Sequence, residues 1–271
     1  MTTSTPQAGI LDEPGPPEPP RRAPGRVLAA ALCGLLGAGL LAGAGATAWG
    51  EHRDAHRPPP PDAAYRAAAA LWHSAPVDRL LPPVLEGPGA GPGRADRSWI
   101  RTALAPDADC AAALAPEWRT ALAATGCTRV LRATYTDATR SSLVTVGLVF
   151  TPADAAAMAG LRGRLPAPRA YEFADARRAA WTTGVVPEAP VVVYAVSAFA
   201  DGRTTDAPVP AEEATRQGAT GTAAEAGLGH AAQGASLAVE RALAVLAAPP
   251  GSPGAATPDN ATGATTPEPR R

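Results

Sequence analysis

The chain of 271 residues contains no lysine, so all of its basic side chains are arginine or histidine. Asparagine occurs only at Asn260, and isoleucine only at Ile10 and Ile100. These three residue types share AT-rich codons, so their scarcity indicates a GC-rich genome, and we expect an actinobacterial source. The absence of lysine therefore carries no information about function.

The chain also lacks a strong charge balance of either sign, with a formal net charge of -1 at pH 7. Nucleic-acid-binding domains are usually strongly basic, with Lys and Arg clustered on one face. We therefore expect no nucleic-acid partner.

Motifs that bind cofactors or perform catalysis are missing as well. The sequence contains no phosphate-binding loop, dinucleotide fingerprint, His-Glu-x-x-His or Gly-x-Ser-x-Gly motif. The glycine-rich stretch at residues 87–93 includes proline and lacks the lysine of a phosphate loop. The sequence thus predicts no catalytic, cofactor-binding or metal-binding residues, although a site assembled from distant positions would not show such a motif.

The feature that organises the chain is an uncharged apolar run from Val27 to Trp49. About 20 apolar residues span the roughly 30 Å hydrocarbon core of a bilayer as a helix, and this run has about that length. It predicts a single transmembrane helix. The proline-rich stretches on either side then predict this order: a disordered cytoplasmic tail at 1–25, the transmembrane helix at 26–50, a Pro-rich linker at 51–61, an extracytoplasmic domain at 62–248 and a disordered tail at 249–271.

The orientation follows from the basic residues that flank the run. Three arginines precede it and two, Arg53 and Arg57, follow it, a slight bias toward a cytoplasmic N terminus. A cleaved signal peptide is an alternative, because residues 46–48 (Ala-Thr-Ala) fit a small-x-small cleavage site, but the apolar run exceeds the roughly 7–15 residues typical of cleaved signals. Leu32 stands where a lipoprotein signal at Cys33 would require a small residue, so we reject that reading.

Two glycines four residues apart, Gly39 and Gly43, lie within the predicted transmembrane helix. Small residues at this spacing allow two helices to approach closely in a bilayer. They are candidate packing residues for a homodimer, although the same spacing arises readily by chance in a helix rich in Ala and Gly.

Two cysteines, Cys110 and Cys127, lie in the domain that we place outside the membrane. Paired cysteines in an oxidising compartment usually form a disulfide. Cys110 begins a predicted helical segment and Cys127 follows the helix stop at Gly126, so a bond would tie that segment to the next strand. Two reduced, buried cysteines are the alternative. A zinc site needs about four ligands, and no histidine lies near them in sequence.

Only two histidines, His73 and His230, lie in the predicted domain, with Ser74 and Ser236 near them in sequence. Either could act as a general base, but we interpret both as structural. Two carboxylates, Glu172 and Asp175, are also close in sequence. Their neighbours Arg177 and Arg178 favour a salt-bridged surface rather than a catalytic pair.

The pattern of residues 62–248 predicts an α+β domain, with an antiparallel sheet of about four strands covered by helices. The strands are expected at 98–104, 128–136, 143–150 and 190–199, because their apolar residues alternate or form short buried runs. Residues 80–85 are expected to form a packed turn and residues 204–221 a polar loop. Helices are expected at 62–72, 107–124 with a break at Pro116, 151–161, 174–180 and 223–247.

The most distinctive stretch is Cys110 to Phe150, with its paired cysteines and the hairpin that begins Arg129-Val-Leu-Arg-Ala-Thr-Tyr-Thr-Asp137. In layout the chain resembles the actinobacterial single-pass membrane proteins that carry an extracytoplasmic domain of unknown function. This resemblance implies a role in the cell envelope and no catalytic residues.

Three classes of function remain open from the sequence. We expect a non-enzymatic binding or scaffold protein that works with an envelope protein partner. A cell-wall-associated enzyme and a single-pass sensor acting through a partner are the alternatives. A cleft that gathers His73, His230 or Glu172 would favour the enzyme, whereas an exposed apolar surface would favour the binding protein.

Overall fold

The computed structural model describes residues 24–55 and 61–249. Residues 1–23 and 250–271 of the predicted disordered tails and residues 56–60 of the predicted linker lie outside these residues. The chain divides into two compact units, residues 1–57 and residues 58–271.

The first unit contains one helix, α1, at Pro24–Ala55. It includes the predicted transmembrane segment, and its part from Leu32 to Arg53 is long and apolar enough to cross a membrane. The side chains of this part are not buried by protein. The helix continues to Ala55, past the predicted end at residue 50, because no proline interrupts the sequence before Pro58.

The second unit is an α+β domain. Its helices are α2 Pro61–Ala68, α3 Leu71–Ser74, α4 Val77–Leu80, α5 Cys110–Ala113, α6 Pro116–Ala121, α7 Ala155–Ala159, α8 Ala211–Thr215, α9 Thr222–Glu225 and α10 Leu228–Ala247. Its strands are β1 Val84–Gly87, β2 Arg97–Leu104, β3 Arg129–Asp137, β4 Ser142–Phe150, β5 Arg178–Val185, β6 Val191–Phe199 and β7 Val209–Pro210.

The sheet corrects the predicted strand count and pairing. It has seven strands in the order β1-β2-β3-β4-β6-β5-β7 instead of about four, and it is mixed, because β5 and β7 pair in parallel. All other neighbours are antiparallel. The four predicted strands correspond to β2, β3, β4 and β6. Two of the missed strands, β1 and β7, lie at the edges and have four and two residues, too few to show an alternating pattern.

Two other predictions were wrong. Residues 174–180, predicted as a helix, form a short 3₁₀ turn and the start of β5, because pairing with β6 outweighs the helix propensity of the alanines. Residues 204–221, predicted as a loop, contain β7 and α8. The predicted turn at residues 80–85 ends in β1, which begins directly after Pro83.

The sheet is covered on both faces, so its central strands are buried on both sides. Along β6, Val191, Val193 and Ala195 belong to the core on the face that α10 covers. The alternating residues Val192 and Tyr194 pack on the other face, in a second core. That second core also contains Trp118 and Leu122, from α6 and the turn after it, and Met158 from α7. The uninterrupted apolar sequence of β6 is explained by this double burial.

The predicted final helix is divided at Gly227, which has φ +67° and precedes α10. Its predicted apolar stripe packs on the sheet, with Leu228, Ala232, Ala235 and Val239 all buried. The helix contacts β4, β5 and β6 and also the edge strand β1.

Candidate functional site

The predicted disulfide between Cys110 and Cys127 is present, with the two Cα atoms 6.1 Å apart. Cys110 is the first residue of α5, where the Asp109 carboxylate accepts a hydrogen bond from the Ala112 N–H. Cys127 lies two residues before β3. The bond therefore fastens α5 and α6 to the strand that follows them.

We expect the double substitution Cys110→Ser/Cys127→Ser to lower the free energy of unfolding by about 3 kcal/mol, because it removes a restraint on a loop of this length. The two cysteines are 17 positions apart. Thermal unfolding of the full chain with and without reductant measures the effect. The control is Cys33→Ser, which removes the exposed free cysteine of α1 and should change nothing. Equal thiol labelling of Cys110 and Cys127 before and after reduction would contradict the bond.

The side chains of His73, Ser74 and Ser236 interact with residues close to them in sequence. His73 lies in α3, where its ring makes an edge contact with the neighbouring Trp72, 4.8 Å between ring centres. The hydroxyl of Ser74 donates to the Ala70 carbonyl within the same turn. Ser236 Oγ, in α10, donates to Glu240 Oε1 at 2.9 Å.

His230 lies in the first turn of α10. Burial lowers the pKa of its imidazole, and the charge of Arg97 lowers it further. Neither His73 nor His230 lines the cavity described below.

The two candidate carboxylates, Glu172 and Asp175, have different surroundings. Asp175 forms ion pairs with Arg178, at 3.3 Å, and with Arg169, at 3.5 Å, as expected for a salt-bridged surface. Arg177 instead donates to the Phe199 carbonyl. Glu172 adopts a positive φ of +71° in the loop before Phe173 and does not line that cavity.

The glycines of the predicted dimer motif, Gly39 and Gly43, are exposed along α1. A Cβ atom placed on either one would meet no other atom within 4 Å. Their role in dimerisation stays a prediction.

The largest concave feature that we describe is a cavity of about 740 Å³ in the second unit, here called the end cavity. This volume lies within the range of small-molecule and peptide-side-chain sites. The cavity forms where α2, the start of α7, the turn between β5 and β6 and the end of α10 come together. Its lining residues are Asp62, Ala64, Tyr65, Arg66, Asp154, Ala155, Pro187, Glu188, Ala247, Ala248 and Pro249.

The wall of the end cavity is mainly apolar and its polar groups are mostly acidic. The lining includes three acidic residues, Asp62, Asp154 and Glu188, and one basic residue, Arg66. Arg66 Nε donates to the Asp62 carbonyl. Burial raises the pKa of the Tyr65 hydroxyl, and the Asp154 carboxylate raises it further. The cavity therefore favours a ligand that has apolar surface and positive charge.

Local features of the sequence position three of the wall residues, Asp154, Pro187 and Glu188. Asp154 caps α7, since its carboxylate accepts a hydrogen bond from the Ala157 N–H at 2.8 Å. Thr151 is the first residue of the helix predicted at 151–161, but its hydroxyl is buried and bonds to the Pro190 carbonyl, and Asp154 caps α7 instead. Pro187 and Glu188 occupy the turn of the β5–β6 hairpin.

Sequence reasoning did not identify this cavity as a site. Asp62 and Asp154 lie near the starts of the helices predicted at 62–72 and 151–161 and were not candidate site residues, and Glu188 gave no signal. In the sequence these residues appear only as acidic residues and prolines near the ends of separate elements: α2, α7, the β5–β6 hairpin and α10. Only the packing of α2 and α10 at the same end of the sheet brings them together.

A separate apolar surface lies on the β1–β2 pair. Val84 and Ile100 are directly opposite each other across the two strands, and both are exposed. Leu104, farther along β2, is exposed as well, but a register shift between Arg101 and Ala103 pairs it with Ala133, so it lies on the opposite face. This is the type of surface that the sequence analysis associated with a binding protein.

Comparisons with known proteins give no relatives: no family model, curated protein or solved structure matches this chain.

Proposed function

We propose that this protein is a membrane-anchored, extracytoplasmic binding protein whose end cavity receives a segment of an envelope protein. The observation that supports it most directly is the end cavity itself, with its apolar wall and three carboxylates. A partner segment that carries an arginine or lysine beside apolar residues would match both properties. Burial of its apolar surface would supply the affinity, and the carboxylates would select positive charge.

The proposed location is supported by two further features. The part of α1 from Leu32 to Arg53 is long and apolar enough to cross a membrane, and its side chains are not buried among the described residues. The disulfide between Cys110 and Cys127 is a bond that persists in oxidising compartments and is rare in the bacterial cytosol. Together they favour a domain held outside the cytoplasmic membrane by a single N-terminal helix.

We expect a photo-reactive amino acid at Ala64 to give one discrete adduct in intact cells, recovered in the membrane fraction. Ala64 lines the end cavity from α2. The same probe at Ala67 is the matched control, since Ala67 lies on the same helix, is exposed and does not line the cavity. Glu188→Gln, which removes one carboxylate charge, should reduce the Ala64 adduct several-fold.

Equal adducts from Ala64 and Ala67 would contradict a role for the cavity, and so would an Ala64 adduct that is unaffected by Glu188→Gln. Recovery of the intact chain among soluble cytosolic proteins would contradict the anchor and the location together.

A further inference from the structure

The end cavity lies where the described part of the domain ends. Ala247, Ala248 and Pro249, the last three described residues, all line it. Residues 250–271 therefore continue the chain directly from the cavity wall. Since an extended chain spans about 3.4 Å per residue, every position beyond the first few in this segment is within reach of the cavity.

One stretch of this segment matches the cavity in its chemistry. Residues 250–266 contain only Pro, Gly, Ser, Ala, Thr, Asp and Asn, with a single charge at Asp259. Residues 267–271, here called the tail motif, read Pro-Glu-Pro-Arg-Arg and hold the only arginines after Arg241. The tail motif places two positive charges beside two apolar proline rings, and the end cavity favours a ligand with both properties.

The charges of the cavity lining and of the tail motif are opposite in sign. The lining has three acidic residues, Asp62, Asp154 and Glu188, and one basic residue, Arg66. The tail motif has two basic residues and one acidic residue, Glu268. Surfaces of opposite potential attract each other and disfavour segments of the wrong charge.

The negative charge of the lining is not neutralised by the fold. Within residues 24–55 and 61–249, none of the three carboxylates forms an ion pair. The Asp154 carboxylate accepts one hydrogen bond, from the Ala157 N–H. Arg162 acts on the Tyr65 hydroxyl, but its effect on that pKa is smaller than the effects of burial and of Asp154. The carboxylates are therefore available to a cationic segment.

We propose that the tail motif docks in the end cavity of its own chain and excludes the partner segment until that partner displaces it. This regulation rests on the proposed function, because it requires a partner for the same cavity. A segment joined to its site by a short tether has an effective concentration on the order of millimolar. Weak contacts then suffice to fill the cavity, and a partner binds only if its affinity overcomes this competition.

The test uses the full purified chain in neutral-lipid nanodiscs, with the photo-reactive amino acid at Ala64. Irradiation should join position 64 to residues 267–271 of the same chain, as identified by mass spectrometry after digestion. The probe at Ala67, which is exposed on the same helix but does not line the cavity, should give little of this adduct. Equal yields from the two positions would overturn the proposal.

A mixture of chains with natural and heavy isotopes identifies the occupant. Adducts that join positions within chains of the same isotope only are the expected result. Adducts that join a natural chain to a heavy chain would assign the cavity to the tail motif of a second copy, and would overturn docking within one chain.

The double substitution Arg270→Gln/Arg271→Gln should lower the intramolecular adduct about fivefold, because it removes the positive charge of the tail motif. In intact cells it should raise the partner adduct from Ala64 several-fold, since the competing segment is weakened. Arg79→Gln/Arg140→Gln is the matched control: it removes the same charge from two exposed residues that do not line the cavity. Equal effects of the two double substitutions would overturn the proposal.

Glu188→Gln tests whether the two charged groups meet. Glu188 is exposed in the β5–β6 turn, so its replacement should leave the fold intact. It should lower the intramolecular adduct on its own. Combined with Arg270→Gln/Arg271→Gln, the total loss should be smaller than the product of the separate losses, as expected for groups in contact. Independent losses would contradict the contact.

The regulation and the proposed function fail in different ways. A partner adduct in cells that Arg270→Gln/Arg271→Gln does not change, with no intramolecular adduct in the purified chain, would overturn the role of the tail motif and leave the proposed function standing. An intramolecular adduct without any partner adduct in cells, even in the arginine variant, would refute the proposed function and the regulation, and leave only the docking of the tail motif.

Discussion

Replacing Gly147 with valine is expected to lower the free energy of unfolding by about 3 kcal/mol or more, one of the two largest effects in this domain. Gly147 lies in the middle of β4, paired with Arg132 on β3 and with Tyr194 on β6. A Cβ atom at Gly147 would overlap the ring of Tyr194 at Cζ, Cε1 and Oη. Unfolding of the full chain by denaturant, followed by far-ultraviolet circular dichroism, measures the loss.

The neighbours of Gly147 cannot move aside easily, which is why the expected effect is large. The Tyr194 ring is buried and packs against Trp118, with the ring centres 5.3 Å apart. Burial raises the pKa of the Tyr194 hydroxyl to about 12, with the charge of Arg132 acting in the opposite direction. Since β3 and β6 flank β4 on both sides, the backbone is also held in place.

A double substitution provides the control for this prediction. In a Tyr194→Leu background the ring is gone, so Gly147→Val should cost at least about 1 kcal/mol less than it does in the natural chain. If the two backgrounds give the same loss, the contact between Gly147 and Tyr194 does not explain the requirement for glycine.

Replacing Trp99 with alanine is expected to lower the free energy of unfolding by about 3–5 kcal/mol, the usual range for a buried tryptophan. Trp99 lies on β2 and is fully buried. Its ring is enclosed by two glycines: a Cβ on Gly87 of β1 would lie 2.6 Å from Cζ3, and one on Gly234 of α10 would lie 2.5 Å from Cη2. The ring therefore joins the edge strand to the long helix, and its removal leaves a cavity that neither glycine can fill.

The neighbouring residue supplies the matched control. Ile100 follows Trp99 on the same strand, points to the opposite face and is 51 % exposed. Ile100→Ala should cost less than about 1 kcal/mol, because little apolar area is removed from a buried environment. Similar losses for the two substitutions would show that β2 contributes through its backbone and not through the Trp99 ring.

The strands that sequence patterns identified are those with a strong side-chain period. In β3, Leu131, Ala133 and Tyr135 alternate with Arg132 and Thr134, and the two sets lie on opposite faces of the sheet as predicted. β6 was visible as an uninterrupted apolar run. β5 was missed because its alanines favour a helix locally, and only its pairing with β6 defines it as a strand.

The disulfide could be predicted because its two cysteines are isolated from other ligands and lie at the ends of one local excursion. The end cavity could not be predicted. Its residues come from elements far apart in the chain, such as Asp62 of α2 and Ala247 of α10. No motif or spacing in the sequence shows that these residues lie together.

The amino-acid sequence by itself determined the long apolar N-terminal helix, the α+β class, four strands and the cysteine pair, since each depends on local period, length or composition. Tertiary structure alone decided the seven-stranded mixed sheet, the glycines that accept Trp99 and Tyr194, and the end cavity. The physical reason is that strand pairing joins residues far apart in the chain, such as Ser142 and Phe199. Side-chain packing joins still more distant ones, such as Trp99 and Gly234, and the energies of both exceed local propensities.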